Sequence, residues 1–318
     1  MSKIAIIGAG HAGVEAANIL STAGHSVTLY SNEPCLPYFR PRLIAVAFGQ
    51  AEPTAVSIKP EAYYAKQAID LRHEEVTALD AQARTVNGTA YDALLLTQGS
   101  RPFVPPFKGE GTSRLKTLWT MADALILREA IKAGTRLTVI GGGVLGLEAA
   151  LRAELAGAKV TLIEAAPRLV GGQLTEEAEA NLRAGLARHN IALHIGTSIA
   201  SIDPDGVTLG DGTKIVDDVI LCSTGARPNI ALSQSAGLPT EMGLRTADDL
   251  SLAPGVFAAG DLARPTDARP VCAVRRATAM GQLAAKNLLA QLAGEPTQPW
   301  TEPTLPLFMK VGDVEIRG

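Results

Sequence analysis

Two stretches of the sequence decide the fold: residues 4–34, IAIIGAGHAGVEAANILSTAGHSVTLYSNEP, and residues 137–167, LTVIGGGVLGLEAALRAELAGAKVTLIEAAP. They align without a gap at an offset of 133, and 13 of the 31 aligned pairs are identical. Each copy has an apolar strand, a glycine turn, a stretch of helical periodicity that ends at Gly24 or Gly157, and a returning strand. One Gly-x-Gly-x-x-Gly motif is a weak signal, but two copies in register predict two Rossmann-like βαβ units.

The glycines of both turns have the spacing that a dinucleotide requires. The first glycine makes the tight turn, the second lets the diphosphate approach the backbone, and the third lets the helix pack against the strand. The free N–H groups and the dipole at the start of the helix favour an anion there. We expect these roles for Gly8, Gly10 and Gly13 in the first unit, and for Gly141, Gly143 and Gly146 in the second.

A carboxylate at the end of the second strand of a Rossmann unit usually contacts the ribose hydroxyls. In the second unit this residue is Glu164, and the first cation after it is Arg168. A carboxylate would repel a 2′-phosphate, so we expect NADH rather than NADPH. In the first unit the aligned residue is Ser31, and the nearest acid, Glu33, is the better candidate for the ribose contact.

A second repeat closes each half of the chain. Residues 91–102, YDALLLTQGSRP, match residues 217–228, DDVILCSTGARP, at an offset of 126. Each is an apolar strand that ends in a glycine, a small residue, Arg and Pro. The residues at these crossovers have two open interpretations: they are hinge and turn residues, or they contact a cofactor directly. They are Gly99, Arg101, Pro102, Gly225 and Pro228.

The composition is that of a well-packed globular protein with two domains. The chain has 318 residues, of which 47% are hydrophobic and 19% charged, and its net charge of −3 gives no sign of nucleic-acid or membrane binding. The three cysteines form neither a C-x-x-C pair nor a metal-binding spacing, so we expect no metal site. No signal peptide or membrane span is expected, and the cytoplasm is the expected location.

Two further segments resemble a known superfamily. Residues 254–261, PGVFAAGD, resemble the second flavin motif of the pyridine-nucleotide disulfide oxidoreductases, and residues 36–43, LPYFRPRL, look like the flavin loop of the NADH:rubredoxin oxidoreductases and ferredoxin-reductase-like enzymes. The resemblance implies that Asp261 binds the FAD ribitol beside Gly260, and that Arg40 and Pro41 contact the flavin. Some relatives carry a Lys where this chain has Ala45, which favours the rubredoxin-type branch.

The order of the motifs predicts an α/β fold with two Rossmann-like domains, the NADH domain being inserted in the FAD domain. We expect the FAD domain at residues 1–106 and 228–295 and the NADH domain at residues 107–227. By the resemblance, residues 296–318 begin a C-terminal interface domain that is largely missing. A monomer or weak dimer is therefore expected.

By the same resemblance the chain passes hydride from NADH to FAD, and electrons then go to a small acidic carrier such as rubredoxin. Glu148 resembles the family Glu near the nicotinamide; its alternative is an acid in the first helical turn that favours the dipole. Other functions stay open: an NADH oxidase, a disulfide reductase that uses Cys35, the flavin module of a nitrite or nitrate reductase, or a non-catalytic signalling protein. Cys222 lies within an apolar strand and is predicted to be buried in the core, and the sequence assigns no role to Cys272.

A cluster of arginines follows the second flavin motif. It comprises Arg264, Arg269, Arg275 and Arg276, and is called here the arginine rim. The hypothesis is that it surrounds the flavin edge and docks an acidic carrier. The alternative is ordinary pairing with local acids such as Asp261 and Asp267.

Overall fold

The structure is a computed structural model that describes residues 1–266 and 271–317. In these residues the α-helices are α1 (His11–Thr22), α2 (Leu43–Ala47), α3 (Glu61–Lys66), α4 (Met121–Ala130), α5 (Val144–Leu155), α6 (Glu176–Arg188), α7 (Ala231–Ser235) and α8 (Val274–Ala293). The strands are β1 (Lys3–Ile7), β2 (Ser26–Ser31), β3 (Ile69–His73), β4 (Leu79–Asp80), β5 (Thr85–Val86), β6 (Thr89–Ala90), β7 (Ala93–Leu96), β8 (Ser100–Pro102), β9 (Leu115–Lys116), β10 (Arg136–Ile140), β11 (Lys159–Glu164), β12 (Ala192–Ile195), β13 (Ile199–Asp203), β14 (Gly206–Leu209), β15 (Lys214–Val216), β16 (Val219–Cys222), β17 (Ala226–Pro228), β18 (Leu244–Arg245), β19 (Ser251–Ala253), β20 (Val256–Ala258), β21 (Ala263–Arg264), β22 (Phe308–Val311) and β23 (Val314–Arg317).

The chain divides into two compact units. The first unit comprises Met1–Phe39, Ser57–Arg101 and Ala226–Leu305, and the second comprises Arg40–Val56, Pro102–Gly225 and Pro306–Gly318. Each unit contains one of the two repeated βαβ segments. The domain limits expected from the sequence, and the cofactor of each domain, stay predictions.

The first unit is built on a six-stranded sheet in the order β19-β20-β7-β1-β2-β3. Its strands are parallel except β19, which runs antiparallel to β20. The residues of β7 are buried throughout, as is usual for a central strand of a parallel sheet. Helices α1 and α8 approach closely, and this requires glycine at position 281, because a Cβ there would lie 2.3 Å from the carbonyl oxygen of Ala12.

The second unit is built on a five-stranded parallel sheet in the order β12-β11-β10-β16-β9. An antiparallel meander, β13-β14-β15, follows β12. The last two strands, β22 and β23, form an antiparallel hairpin whose buried and exposed residues alternate. This hairpin packs on α5 and α6.

The two βαβ segments have the same strand register. Lys3 of β1 pairs with Ser26 of β2, and Arg136 of β10 pairs with Lys159 of β11, so both partners are displaced by the offset of 133 seen in the sequence. The closing strands behave alike, since β7 pairs with β1 as β16 pairs with β10. The predicted α/β class is thus confirmed. Among the described residues, no helix has the length and apolar character that crossing a bilayer requires.

Candidate nucleotide-binding sites

Two glycines of the first turn are required by packing. Gly8 has φ of 110°, and a Cβ on it would lie 2.4 Å from the carbonyl oxygen of Thr97 in the neighbouring strand segment. A Cβ on Gly13 would lie 2.0 Å from the carbonyl oxygen of Gly8. Both distances are far below van der Waals contact, so no side chain fits at either position without movement of the backbone.

The turn of the second unit repeats these constraints. Gly141 has φ of 113°, and a Cβ on it would lie 2.3 Å from the carbonyl oxygen of Ser223. A Cβ on Gly146 would lie 2.0 Å from the carbonyl oxygen of Gly141. The first and third glycines of each motif therefore have the turn and packing roles predicted for them.

The middle glycines, Gly10 and Gly143, differ from the others. They precede α1 and α5 with φ of −78° and −76°, which any residue can adopt, and a Cβ on either would meet no atom within 4 Å. The fold itself therefore does not require glycine there. The space that a Cβ would fill adjoins the free N–H groups at the start of the helix, and this suits the close approach of a diphosphate.

Glu164 lies at the end of β11, beside the turn of the second unit. Its Oε2 accepts a hydrogen bond from the N–H of Gly142 at 2.6 Å, and its Oε1 accepts one from the N–H of Ala166 at 2.7 Å. The two backbone donors fix the carboxylate next to the glycine turn. A carboxylate held there has further lone pairs for ribose hydroxyls.

Glu33 in the first unit is also held in place. The Tyr38 hydroxyl donates to the Glu33 carboxylate, at 2.7 Å from Oε1 and 2.8 Å from Oε2. The backbone carbonyl of Glu33 lies 2.8 Å from Nδ1 of His73, and the Ser31 hydroxyl donates to the same carbonyl at 3.3 Å. Its role in ribose binding stays a prediction.

Asp261 lies in a short 3₁₀ segment, Gly260–Leu262, which follows β20. Its Oδ2 accepts a hydrogen bond from the Ser100 hydroxyl at 2.7 Å, and Cys272 Sγ lies 3.6 Å from the same hydroxyl. Sequence reasoning missed Ser100. The second repeat offers no signal for it, because the aligned residue is Ala226.

Glu148 forms an ion pair within α5. Its Oε1 lies 2.8 Å from Nε of Arg152, one helical turn later, and Arg152 also donates to the Gln50 side chain. The helix begins at Val144, so Glu148 is in its second turn. The alternative role as a first-turn acid is therefore wrong, because the helix-dipole effect is confined to the first turn.

Arg40 and Pro41 lie in a 3₁₀ segment, Arg40–Arg42, of the second unit. The Arg40 guanidinium donates to the carbonyl oxygen of Trp119, and its carbon lies 5.7 Å from the centroid of the Trp119 ring. The contact of Arg40 and Pro41 with the flavin stays a prediction. Gly99 and Gly225, at the crossovers, both have positive φ, of 65° and 96°, as tight turns require.

The model of one protein family, described as pyridine nucleotide-disulphide oxidoreductase, matches residues 2–282. The chain belongs to this family. Its cofactors are accordingly FAD and NAD(H), and its activity is that of an oxidoreductase.

Several relatives of this chain are named as reductases of ferredoxin or rubredoxin. The ferredoxin–NAD(+) reductase component of the p-cumate 2,3-dioxygenase system of Pseudomonas putida is 34% identical over 273 residues, 83% of this chain and 68% of the relative. The corresponding component of the biphenyl dioxygenase system of Paraburkholderia xenovorans is 31% identical, over 100% of this chain and 83% of its own. The rubredoxin-NAD(+) reductase of Pseudomonas putida is 30% identical, over 94% and 83%.

The solved structures that resemble this chain include reductases of the same kind. A ferredoxin reductase from Rhodopseudomonas palustris has a TM-score of 0.89 and 27% identity, and the match covers 99% of this chain and 81% of that one. The reductase in a covalent putidaredoxin reductase–putidaredoxin complex has a TM-score of 0.84 and 28% identity, over 96% and 78%. The chain is thus ferredoxin-reductase-like within its family.

The family is named for disulphide chemistry, which makes the cysteines of this member relevant. Cys35 is half-buried, Cys222 is buried and Cys272 is exposed, and none of the three forms a disulfide bond. Cys222 is in the core, as predicted, and burial raises the pKa of its thiol. Cys35 lies in the first unit, two residues after Glu33, and its predicted redox role stays untested.

The hypothesis that the arginine rim forms a docking surface is wrong for two of its four residues. Arg264 and Arg276 are buried, not on the surface, and pair with Glu241 and Glu302 respectively. Both arginines thus pair with acids, as the alternative interpretation expects, and the pairing with Asp261 or Asp267 stays a prediction. Arg275 is exposed. Arg269 and Asp267 lie outside the described residues.

Proposed function

We propose that this chain is an NADH-dependent reductase that passes electrons through FAD to a small redox protein, such as a ferredoxin or rubredoxin. One observation carries the proposal. Gly10 and Gly143 are glycines that the fold does not require, and they occupy equivalent places in two turns of the same construction. If each unit binds one dinucleotide, its diphosphate occupies the space that a Cβ would fill, and this explains both glycines.

The first unit is proposed to bind FAD and the second NADH, with the NADH-binding part inserted between two parts of the FAD-binding one. Asp261, held by Ser100, supports this assignment, because it lies in the segment that resembles the second flavin motif. Glu164 in the second unit supports NADH, because a carboxylate suits free ribose hydroxyls. When bound, the flavin supplies the chemistry that takes hydride from NADH and releases single electrons.

The protein's own residues bind and orient the two nucleotides. The N–H groups at the starts of α1 and α5 bind diphosphate oxygens. Glu164 and Glu33 orient the riboses. Glu148 positions the nicotinamide, and Arg152 restrains the Glu148 carboxylate at 2.8 Å so that it points in one direction.

The proposed acceptor rests on the relatives. Those described above are named as reductases of ferredoxin or rubredoxin, and one solved relative was captured with putidaredoxin. Nothing in the described residues of this chain selects one carrier among them. Steady-state NADH oxidation should therefore be fastest with a small iron–sulfur protein; faster turnover with oxygen or with a disulfide would contradict the proposal.

The repeat offers a matched pair of variants for the cofactor assignment. Gly10→Val should abolish FAD binding, so that the purified protein is colourless, whereas Gly143→Val should stay yellow and lose its reduction by NADH. Both should fold, because a side chain at either position has room and a permitted φ. Absorbance at the flavin bands and stopped-flow reduction measure the two effects. A Gly143→Val protein that NADH reduces at the wild-type rate would contradict the assignment.

A further inference from the structure

We propose that Glu179 helps to set the coenzyme specificity of the second unit, by withholding Arg168 from the ribose that Glu164 faces. This inference rests on the proposed NADH site. Arg168 is the first cation after Glu164, and Glu179 would keep it from binding a 2′-phosphate.

The loop that carries Arg168 is packed on the glycine turn. A Cβ on Gly142 would lie 2.6 Å from Cδ2 of Leu169 and 3.0 Å from Cβ of Glu164, so both residues border the turn. The N–H of Val170 donates to the carbonyl oxygen of Gly142 at 2.9 Å. Arg168 directly precedes this contact and is therefore close in sequence and in the fold to the proposed ribose site.

The guanidinium of Arg168 is nevertheless committed elsewhere. Its Nε donates to Oε2 of Glu179 at 2.6 Å, and its Nη2 donates to the carbonyl oxygen of Leu174 at 2.5 Å. Two bonds at two different nitrogens fix both the position and the plane of the group. Arg168 is 38% exposed at its side chain, so it is held rather than enclosed.

Glu179 is well suited to hold a cation. It is buried at the start of α6, and its Oε1 accepts from the N–H of Leu169 at 3.1 Å and from Nη2 of Arg183 at 2.7 Å. Burial by itself would raise the pKa of Glu179, but the hydrogen bonds from Arg183, Arg168 and Leu169 hold that pKa at about 2. The carboxylate is therefore charged at every pH at which the enzyme would work.

The two acids have complementary effects on a 2′-phosphate. Glu164 would repel it directly, and Glu179 removes the cation that could compensate. A free ribose needs no cation, so NADH is unaffected by the commitment of Arg168. Loss of the Glu179 charge should release Arg168 to form charge-assisted hydrogen bonds with a phosphate.

Two nucleotides, ADP and 2′,5′-ADP, test this on the FAD-loaded protein by isothermal titration calorimetry. The variants are Glu164→Gln, Glu179→Gln and the double variant. We expect the double variant to bind 2′,5′-ADP at least about tenfold more tightly than Glu164→Gln does, as one charge-assisted contact would give. Binding of ADP should change less than twofold between these two proteins. An affinity for 2′,5′-ADP equal to that of Glu164→Gln would overturn the inference.

Two additional substitutions in the double variant identify the cation responsible. Arg168→Gln should abolish the gain. Arg183 also loses its partner in the double variant, and its Nη2 lies 3.4 Å from the carbonyl oxygen of Pro167. Arg183→Gln should nevertheless preserve the gain, because Arg183 belongs to α6 and not to the loop that borders the glycine turn. A gain that survives Arg168→Gln contradicts the inference. If Glu179→Gln does not fold, Glu179→Asp keeps the charge beside Arg183 and should loosen Arg168, giving a smaller gain in the same direction.

The wild-type protein separates this inference from the proposed function. Binding of ADP by the wild type supports the nucleotide site, whatever the variants do. If the wild type binds no ADP, and NADH does not reduce its flavin, the proposed function fails and the inference fails with it.

Discussion

Gly146 is a residue at which a single methyl group should disturb the fold. Its Cβ would lie 2.0 Å from the carbonyl oxygen of Gly141, and backbone atoms cannot give way as the end of a flexible side chain can. We expect Gly146→Ala to lower the free energy of unfolding by about 1–3 kcal/mol, as overpacked sites do. Gly143→Ala, three residues away, should lower it by less than about 1 kcal/mol, the cost of alanine at the N-cap of α5.

Urea denaturation of the two apoproteins measures this difference. Apoproteins are needed because a bound nucleotide would add its own stabilisation. Equal losses of stability in both variants would show that the crowding at Gly146 relaxes without cost, or that Gly143 has a structural role that its surroundings do not reveal.

Glu148 and Arg152 form a second residue-scale prediction. If Arg152 positions the Glu148 carboxylate, then Glu148→Gln and Arg152→Gln should both slow flavin reduction by NADH. A loss of about tenfold for each is expected, since misplacement of a positioning group can cost up to about a hundredfold. The double variant should be no slower than the worse single one, because the two residues act as a unit. Stopped-flow absorbance gives the rates, and multiplicative losses would contradict a shared role.

At the scale of elements, the hairpin β22–β23 is attached to α6 by titratable side chains. His189 lies 2.8 Å from Glu154 through Nδ1 and 2.7 Å from Asp313 through Nε2, and Arg188 donates to Asp313 at 2.8 Å. Hydrogen bonds to Asp313 and Glu154 raise the pKa of His189 above 6.5, and those from His189 and Arg188 lower the pKa of Asp313 to about 2. These shifts predict how the attachment depends on pH.

A raised histidine pKa stabilises the attachment fully below pH 6.5, and this contribution is lost as pH rises through the pKa of the folded state. A lowered aspartate pKa stabilises above pH 3.8, and this contribution is lost as pH falls towards 2. Amide hydrogen exchange of residues 308–317, corrected for intrinsic rates, should therefore show the strongest protection between about pH 4 and 6.5. His189→Gln should remove the loss on the alkaline side; Arg188→Gln should retain it.

The elements show how far the sequence alone could predict the structure. The spacing of Gly8, Gly10 and Gly13 and its repetition at an offset of 133 fixed both βαβ segments, because a tight turn and a close helix leave few alternatives. The burial of Arg264 and Arg276 was missed. Their partners, Glu241 and Glu302, are 23 and 26 residues away, and a contact at that distance leaves no periodic signal. The pairing of Arg168 with Glu179, 11 residues later, was also missed, because it joins a loop to a helix and belongs to no repeating pattern.

The whole molecule should unfold in steps that its ligands separate. The chain has two compact units, and each is proposed to bind a different nucleotide. A ligand at 100 times its dissociation constant stabilises the fold that binds it by about 2.7 kcal/mol. In calorimetry of the apoprotein we expect FAD to shift one transition upward and ADP another. Gly10→Val should abolish the first shift only; a single transition that both ligands move equally would contradict independent units.

The open space at Gly10 and Gly143 also has a consequence for how such proteins tolerate mutation. A library randomised at Gly10 and sorted for abundance in cells should retain most amino acids, whereas the same library sorted for yellow colour should retain very few. At Gly13 the two sorts should select the same survivors. Positions of the first kind are invisible to stability screens, and they mark the places where a missense change yields a well-expressed but inert enzyme.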